Sequence, residues 1–355
     1  MPEKNNRTAV FALLFTAVSI FEILLPITGA TGTALAASPI FGIVCSFLIM
    51  LLYYCFLMSL GEKSNKLASG LGILALPIAA LCVVGVMTDS SELLLYRCLG
   101  FIAYAATSAV IYRKALGKQS RADASAVAAF VMLLFAGLEI AIPLFISAAE
   151  RGVSVSTVIF DGIDSFISEF VSLYTATLSE VAAMNPAINP AMLTVNEKML
   201  TDSLITYIAL MPSILYAVYF FAMLIFGYIA DFLCKRMAVY GEYAFGRFNV
   251  SPTAHIIFNI FGTLTVISLL FESSLSPFTF GVMNVLIALL PNYIVLGIRK
   301  IHRILSKKTA PIASVIIITA VTVFGLSLSP FLLILAVIFF GTSEYRQSRA
   351  DISAR

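Results

Sequence analysis

Runs of about twenty consecutive apolar residues recur along this chain, separated by short polar stretches, and nothing else constrains its fold as tightly. They fall at 8–28, 39–60, 67–87, 93–112, 125–147, 203–233, 253–271, 278–298, 310–327 and 329–342. A hydrocarbon core about 30 Å thick takes roughly 20 helical residues to cross. The runs are continuous rather than alternating at every second residue, which argues against an outer-membrane barrel. Only backbones that satisfy their own hydrogen bonds persist in lipid, and helices do so. The expected fold is all-α: a polytopic transmembrane helical bundle of about ten spans, or eight if the closing hairpin at 310–342 does not cross. The first run carries Glu22 and is too long for a signal peptide, so it reads as uncleaved despite Ala34-Leu35-Ala36 downstream.

Of the 355 residues 60% are hydrophobic and only 12% charged, against about 25% charged in soluble domains. The net charge of +3 comes with no basic stripe interleaved with aromatics, so the bilayer is the expected partner and nucleic acid is not. Charge distribution orients the bundle. With the N-terminus inside, 19 of the 22 basic residues fall in cytoplasmic segments, among them Lys4, Lys63, Arg113, Lys114, Arg236, Arg299 and Arg346. Acids lean outward, with Asp89, Glu150, Asp161, Asp164, Glu169, Glu180 and Asp202 on that side. The positive-inside rule then puts both termini in the cytoplasm and makes the number of spans even. The five cysteines, Cys45, Cys55, Cys82, Cys98 and Cys234, lie in or beside apolar runs with no CxxC pair, so neither a disulfide framework nor a metal centre is expected.

One large loop, about 149–202, is expected outside. Within it Ile159, Ile163, Phe166, Ile167, Phe170, Leu173 and Tyr174 recur at helical spacing, opposite Asp161, Asp164, Ser168, Ser172 and Thr175. This predicts an amphipathic helix over 155–184, either a cap lying at the outer interface or a lid over a binding site. Asn185-Pro186 and Asn189-Pro190 break it. The chain divides on this reading into a first four-helix membrane repeat (1–122), a second membrane repeat carrying the external helix (123–305), and a C-terminal hairpin with a cytoplasmic tail (306–355).

The repeat is visible without gaps. At an offset of 117, Ala9-Val10-Phe11-Ala12 aligns with Ala126-Val127-Ala128-Ala129, and Glu22-Ile23-Leu24-Leu25-Pro26 with Glu139-Ile140-Ala141-Ile142-Pro143. Both spans run the same way, so the duplication is parallel. Its shared core, Glu-Ile-x-x-Pro, carries chemistry. Proline has no N–H, so Pro26 and Pro143 free the carbonyls of Glu22 and Glu139. Each kink thus joins a bare carbonyl to a carboxylate, an oxygen-rich place for a proton, a cation or an amine. A carboxylate within a span costs about 2.5–3.5 kcal/mol on insertion scales, which makes Glu22 and Glu139 candidate binding residues. The alternative is that both serve packing alone.

Arg97, near the outer end of the fourth span, snorkels outward, neutralises one of these carboxylates or binds an anionic substrate. His255 and Asn259 share a helix face near the inner end of the seventh span, and Asn284 and Asn292 lie in the eighth beside Pro291. Buried amides hold helices together or touch a ligand. No G-x-x-x-x-G-K-[ST], HExxH or GxSxG pattern occurs, so no enzyme and no cofactor is expected, and ATP would be hydrolysed by a separate module. Gly241 to Phe248 reads as a cytoplasmic surface turn, not a nucleotide fingerprint.

Spaced residues of the C-terminal half carry a resemblance. They are Leu210-Met211-Pro212-Ser213, Lys235-Arg236, Arg247-Phe248-Asn249-Val250-Ser251-Pro252, Asn284, the basic linker after Gly297, Pro330, and Gly341 followed by Glu344 and Arg349. In these the chain resembles the YybS-like family of bacterial polytopic membrane proteins. The resemblance implies a bacterial inner-membrane protein, and more remotely the substrate-binding components of vitamin uptake systems, energised by a separate ATPase. The expected function is a transport component binding a small molecule or ion between two helical repeats. The alternative is a non-transporting scaffold in envelope assembly or sporulation.

Overall fold

Proline stands first in six of the eleven helices, at Pro2, Pro39, Pro252, Pro277, Pro311 and Pro330. Its missing N–H is not needed there, and its fixed φ is already helical. The computed structural model describes residues 2–24, 39–60, 66–88, 91–184, 197–236, 245–246, 248–271 and 276–353. The helices are α1 (Pro2–Leu24), α2 (Pro39–Ser59), α3 (Lys66–Thr88), α4 (Ser91–Leu116), α5 (Arg121–Arg151), α6 (Val155–Met184), α7 (Glu197–Arg236), α8 (Pro252–Phe271), α9 (Pro277–Ser306), α10 (Pro311–Leu328) and α11 (Pro330–Ser353). Among the described residues there is no strand, so the all-α expectation holds. Each expected span falls on a helix of its own, residues 25–28 of the first lying outside the described residues, and α6 is the amphipathic helix at its expected bounds.

Helices outrun the apolar runs. α9 continues through the basic linker to Ser306, and α11 passes residue 342 to reach Ser353. Arg, Lys and Glu are good helix formers, and an existing helix adds a hydrogen bond per residue without a new nucleation step. Hydropathy marks where lipid stops, which is not where the helix stops.

Among the described residues, four helical segments are long and apolar enough to cross a membrane: Arg121–Arg151, Lys198–Leu233, Pro252–Phe271 and Pro277–Ser306. At most 33% of each apolar window is buried by protein. Exposed apolar area on that scale marks a lipid-facing surface. Ile43–Ser59, Ala68–Val84 and Ile312–Gly325 are shorter apolar segments.

Two rings of helices share a wall. α1 packs on α2 and α3, and α4 packs on α2 and α3, closing the first ring. Beyond it α5 packs on α7, α7 on α9, and α8 on α9. Contacts of α4 with α5 and of α2 with α7 close a second ring of α2, α4, α5 and α7. The pair α2–α4 belongs to both.

The α10–α11 hairpin packs on α9. Helix α11 runs parallel to α9: Gly341 lies against the backbone of Tyr293, and Gly297 against that of Val337. Further along, Lys300 reaches Ser343, and Arg303 holds Glu344 through both guanidinium nitrogens at 2.5 and 3.2 Å. These pairs lie toward what is here called the basic end, where Arg113, Lys114, Arg121, Arg236 and Arg299 also gather.

At the other end α6 packs on α5 and α7. Asp164, Ser168, Ser172 and Thr175 face Thr201 and Ile205 of α7 across an open groove of about 600 Å³. Phe166, Phe170 and Leu173 are exposed instead. Phe166, Phe170 and Tyr174 form a ladder of rings, with centroids 6.2 and 6.3 Å apart. Of the stretch 241–248, Phe248 is buried, and Gly246 donates to the carbonyl of Gln119 at 2.8 Å. That part is docked on the α4–α5 turn rather than a free surface turn, because a phenylalanine gains by leaving water.

Candidate functional site

Helix α5 is apolar through its middle turns and carries one carboxylate there, Glu139, with Pro143 one turn on inside the same helix. Glu139 lies eight residues before the end of the 125–147 run, about 12 Å in at 1.5 Å per residue. It is half-buried against α4 at Gly100, where the absent side chain leaves room for a methyl group. A Cβ built on Gly100 would stand 3.9 Å from Glu139 Oε1 and 3.9 Å from the Tyr104 hydroxyl. The two oxygens are therefore no further apart than twice that distance. Among the described residues, Glu139 has no hydrogen bond and no ion pair.

Polar groups from the other helices of the ring gather at this level. Tyr104 of α4 and Ser46 of α2 share a hydrogen bond of 2.7 Å. Tyr219 of α7 comes within electrostatic range of Glu139. Toward the basic end the ring is filled by rings. Phe226 of α7 meets Phe47 and Tyr54 of α2 edge-on, at 5.4 and 5.8 Å, and Tyr54 meets Tyr112 of α4 at 6.5 Å. Ser108 closes the α2–α4 wall by donating to the carbonyl of Met50 at 2.9 Å. The hydroxyl of Thr107, on the Gly100 face of α4, is fully buried and has no hydrogen-bond partner among the described residues.

Glu22 belongs to the first ring. It sits in the last described turn of α1, close enough to Cys45 of α2 for its charge to be felt there. The helices that carry Glu22 and Glu139 pack on opposite sides of the α2–α4 wall, and no extensive contact joins α1 to α5 among the described residues. Pro26 lies outside the described residues, as does the Arg97 side chain.

The remaining candidates sit elsewhere. His255 stacks on Tyr345 with ring centroids 4.0 Å apart, and its Nδ1 is 2.8 Å from the Tyr293 hydroxyl. Asn259 is exposed and turns back to donate to the carbonyl of His255, so it leaves that cluster. Asn292 is buried in α9 between Pro291 and Tyr293. Asn284 donates to the carbonyl of Ala209 at 2.9 Å, beside the break at Pro212 in α7. The carbonyl that Pro212 deprives of a helical donor is that of Ile208, one residue earlier, so the amide ties α9 to α7 beside the break rather than replacing the lost bond. Replacing Asn284 by valine should lower thermal stability in detergent by about 1 kcal/mol; an unchanged unfolding curve would deny the amide that role.

No protein-family model, curated protein or solved structure matches this chain.

Sequence reading named Glu139 and missed Ser46, Tyr104 and Tyr219. Hydroxyls are common in apolar spans, and only the fold shows which ones meet. One signal was available: Gly100, Tyr104, Thr107 and Ser108 stand at i, i+4, i+7 and i+8, a small and polar stripe along an apolar helix.

Proposed function

We infer that this chain is the membrane-embedded binding component of a transport system, taking a small molecule or ion where two helical halves meet. The observation that carries this reading is the Glu139 carboxylate, half-buried in an apolar helix with no partner among the described residues. A carboxylate kept for packing alone would be hydrogen-bonded by its neighbours. An intramembrane charge left open toward groups on other helices is the usual mark of a substrate or ion path.

The duplication supports it. If α1, α2, α3 and α4 correspond to α5, α7, α8 and α9, then the contacts α1–α2, α2–α4 and α3–α4 recur as α5–α7, α7–α9 and α8–α9. The second ring is then the seam between the halves, and Glu139 faces that seam. Glu22, its counterpart, faces the first half's own interior. One binding site at Glu139 replaces the joint site expected from the paired motifs. Ten spans with both termini in the cytoplasm of a bacterial inner membrane complete the reading, and an ATPase module would be a separate chain. Membership of the YybS-like family belongs to the same proposal. Its quoted positions meet in pairs: Asn284 on the turn before Pro212, Gly341 against α9, Gly297 against α11, and Glu344 on the basic linker.

The test is retention and uptake. Purified chain in proteoliposomes is offered a small-molecule extract, and retained compounds are read by mass spectrometry against empty vesicles. Glu139→Gln should reduce retention of the wild-type ligand at least tenfold, and Glu22→Gln should reduce it less. Equal retention by Glu139→Gln and wild type would end this reading, and crosslinking that recovers envelope-assembly proteins would put the scaffold in its place.

A further inference from the structure

We propose that the site at Glu139 takes a monovalent organic cation, a protonated or quaternary amine, bound between the carboxylate and the Tyr104 side chain. This rests on the transport reading and narrows it to a ligand class.

The argument is one of charge and coordination number. Glu139 brings a single negative charge without an ion-pair partner among the described residues. A divalent cation takes six to eight oxygens, or several His, Cys or carboxylate ligands. No group of three or more such side chains exists among the described residues. An anion would need a fixed positive charge or a cluster of N–H donors; among the described residues no basic side chain pairs with Glu139, and the helical backbone is self-satisfied. Beside the carboxylate, at Gly100, stands the Tyr104 phenol, which is itself hydrogen-bonded to Ser46. Phe101 packs edge-on against Tyr104 at 6.4 Å. Carboxylate plus aromatic faces is the chemistry that recognises ammonium groups, since ring quadrupoles attract a poorly hydrated cation. The aromatic packing of Phe47, Tyr54 and Phe226 closes the ring toward the basic end. A cation would therefore reach Glu139 from the end that α6 covers, past the acids of that helix.

Gly100 makes the inference testable apart from folding. A methyl group there touches nothing closer than 3.9 Å, so Gly100→Ala fits. It also replaces a poor helix former by the best one. Yet the methyl group stands 3.9 Å from both the Glu139 and Tyr104 oxygens, in space that a ligand touching the two would need. Full-length chain in lipid nanodiscs is titrated calorimetrically at fixed ionic strength with tetramethylammonium and choline. The comparison probes are 3,3-dimethylbutanol (the neutral isostere of choline), magnesium and benzoate. The ammonium probes should bind and the other three should not. Glu139→Gln should weaken ammonium binding at least tenfold. Gly100→Ala should weaken it at least threefold without lowering the unfolding temperature, and Tyr104→Phe should retain more binding than Tyr104→Leu. Benzoate or magnesium binding that depends on Glu139, with no ammonium binding, would overturn the ligand class and leave the transport reading standing. Ammonium binding unchanged by both Glu139→Gln and Gly100→Ala would overturn the site. If no probe binds and the vesicles retain no compound, both fall together.

Discussion

Replacing Arg121 by alanine should lower the stability of the folded chain by about 3 kcal/mol, at the lower bound for breaking a buried ion pair. Arg121 Nη2 stands 2.6 Å from Asp231 Oδ2, and the side chains are only 16% and 9% exposed. The guanidinium lies 4.2 Å above the Tyr228 ring and 5.6 Å from that of Phe245, so it is held by stacking as well as by charge. Removing it takes the Arg121 charge from the buried Asp231 carboxylate, and that lost pairing is the source of the loss. Around the pair, Ser120 Oγ donates to the carbonyl of Asn249 at 2.9 Å and Gly246 is bridged to the α4–α5 turn. The same change should therefore loosen the α7–α8 connection. Replacing both partners by apolar residues, Arg121→Met with Asp231→Leu, should recover most of the loss, since no charge is then stranded. Unfolding in mixed micelles measures all three proteins. A single variant within about 0.5 kcal/mol of wild type, the range of ordinary surface changes, would show that the pair is not buried as described.

The second large effect belongs to two glycines. A Cβ on Gly297 would collide with the carbonyl of Val337, and one on Gly341 with the carbonyl of Tyr293. Both obstacles are backbone, so no rotamer change relieves them and α9 must move off α11. Each alanine variant should lose about 3 kcal/mol, the upper range for overpacking a close contact, and the double variant should fail to hold the hairpin on α9. Gly137→Ala is the control. Nothing lies within 4 Å of that position, so it should gain about 1 kcal/mol from helix propensity alone. Thermal unfolding and protease sensitivity of 306–353 read the difference, and equal stability of Gly297→Ala and Gly137→Ala would contradict the contact.

Helices and their order were legible because lipid imposes one rule on every span. The bounds of α9 and α11 were not, since a charged segment such as Arg299 to Arg303 leaves the apolar pattern while continuing the helix. Glu139 was legible as an expensive charge in an apolar run. Its separation from Glu22 was not: a repeat tells which residues correspond, and only the contacts of α2 and α4 tell which helices stand between them. The polar partners were hidden for a similar reason. Ser46 lies 58 positions from Tyr104, and a serine in an apolar run is unremarkable until its partner is known. His255 and Asn259 share a sequence spacing, yet the amide bonds its own helix and only the imidazole crosses to Tyr293.

The common wall has a thermodynamic consequence. Helices α2 and α4 belong to both rings, so the surroundings of Glu22 and Glu139 are not independent variables. If a ligand at Glu139 shifted this pair and with it the proton affinity of Glu22, protonating Glu22 would change the ligand's affinity by the same free energy. The shared wall is thus the one element through which a change beside either carboxylate would reach the other.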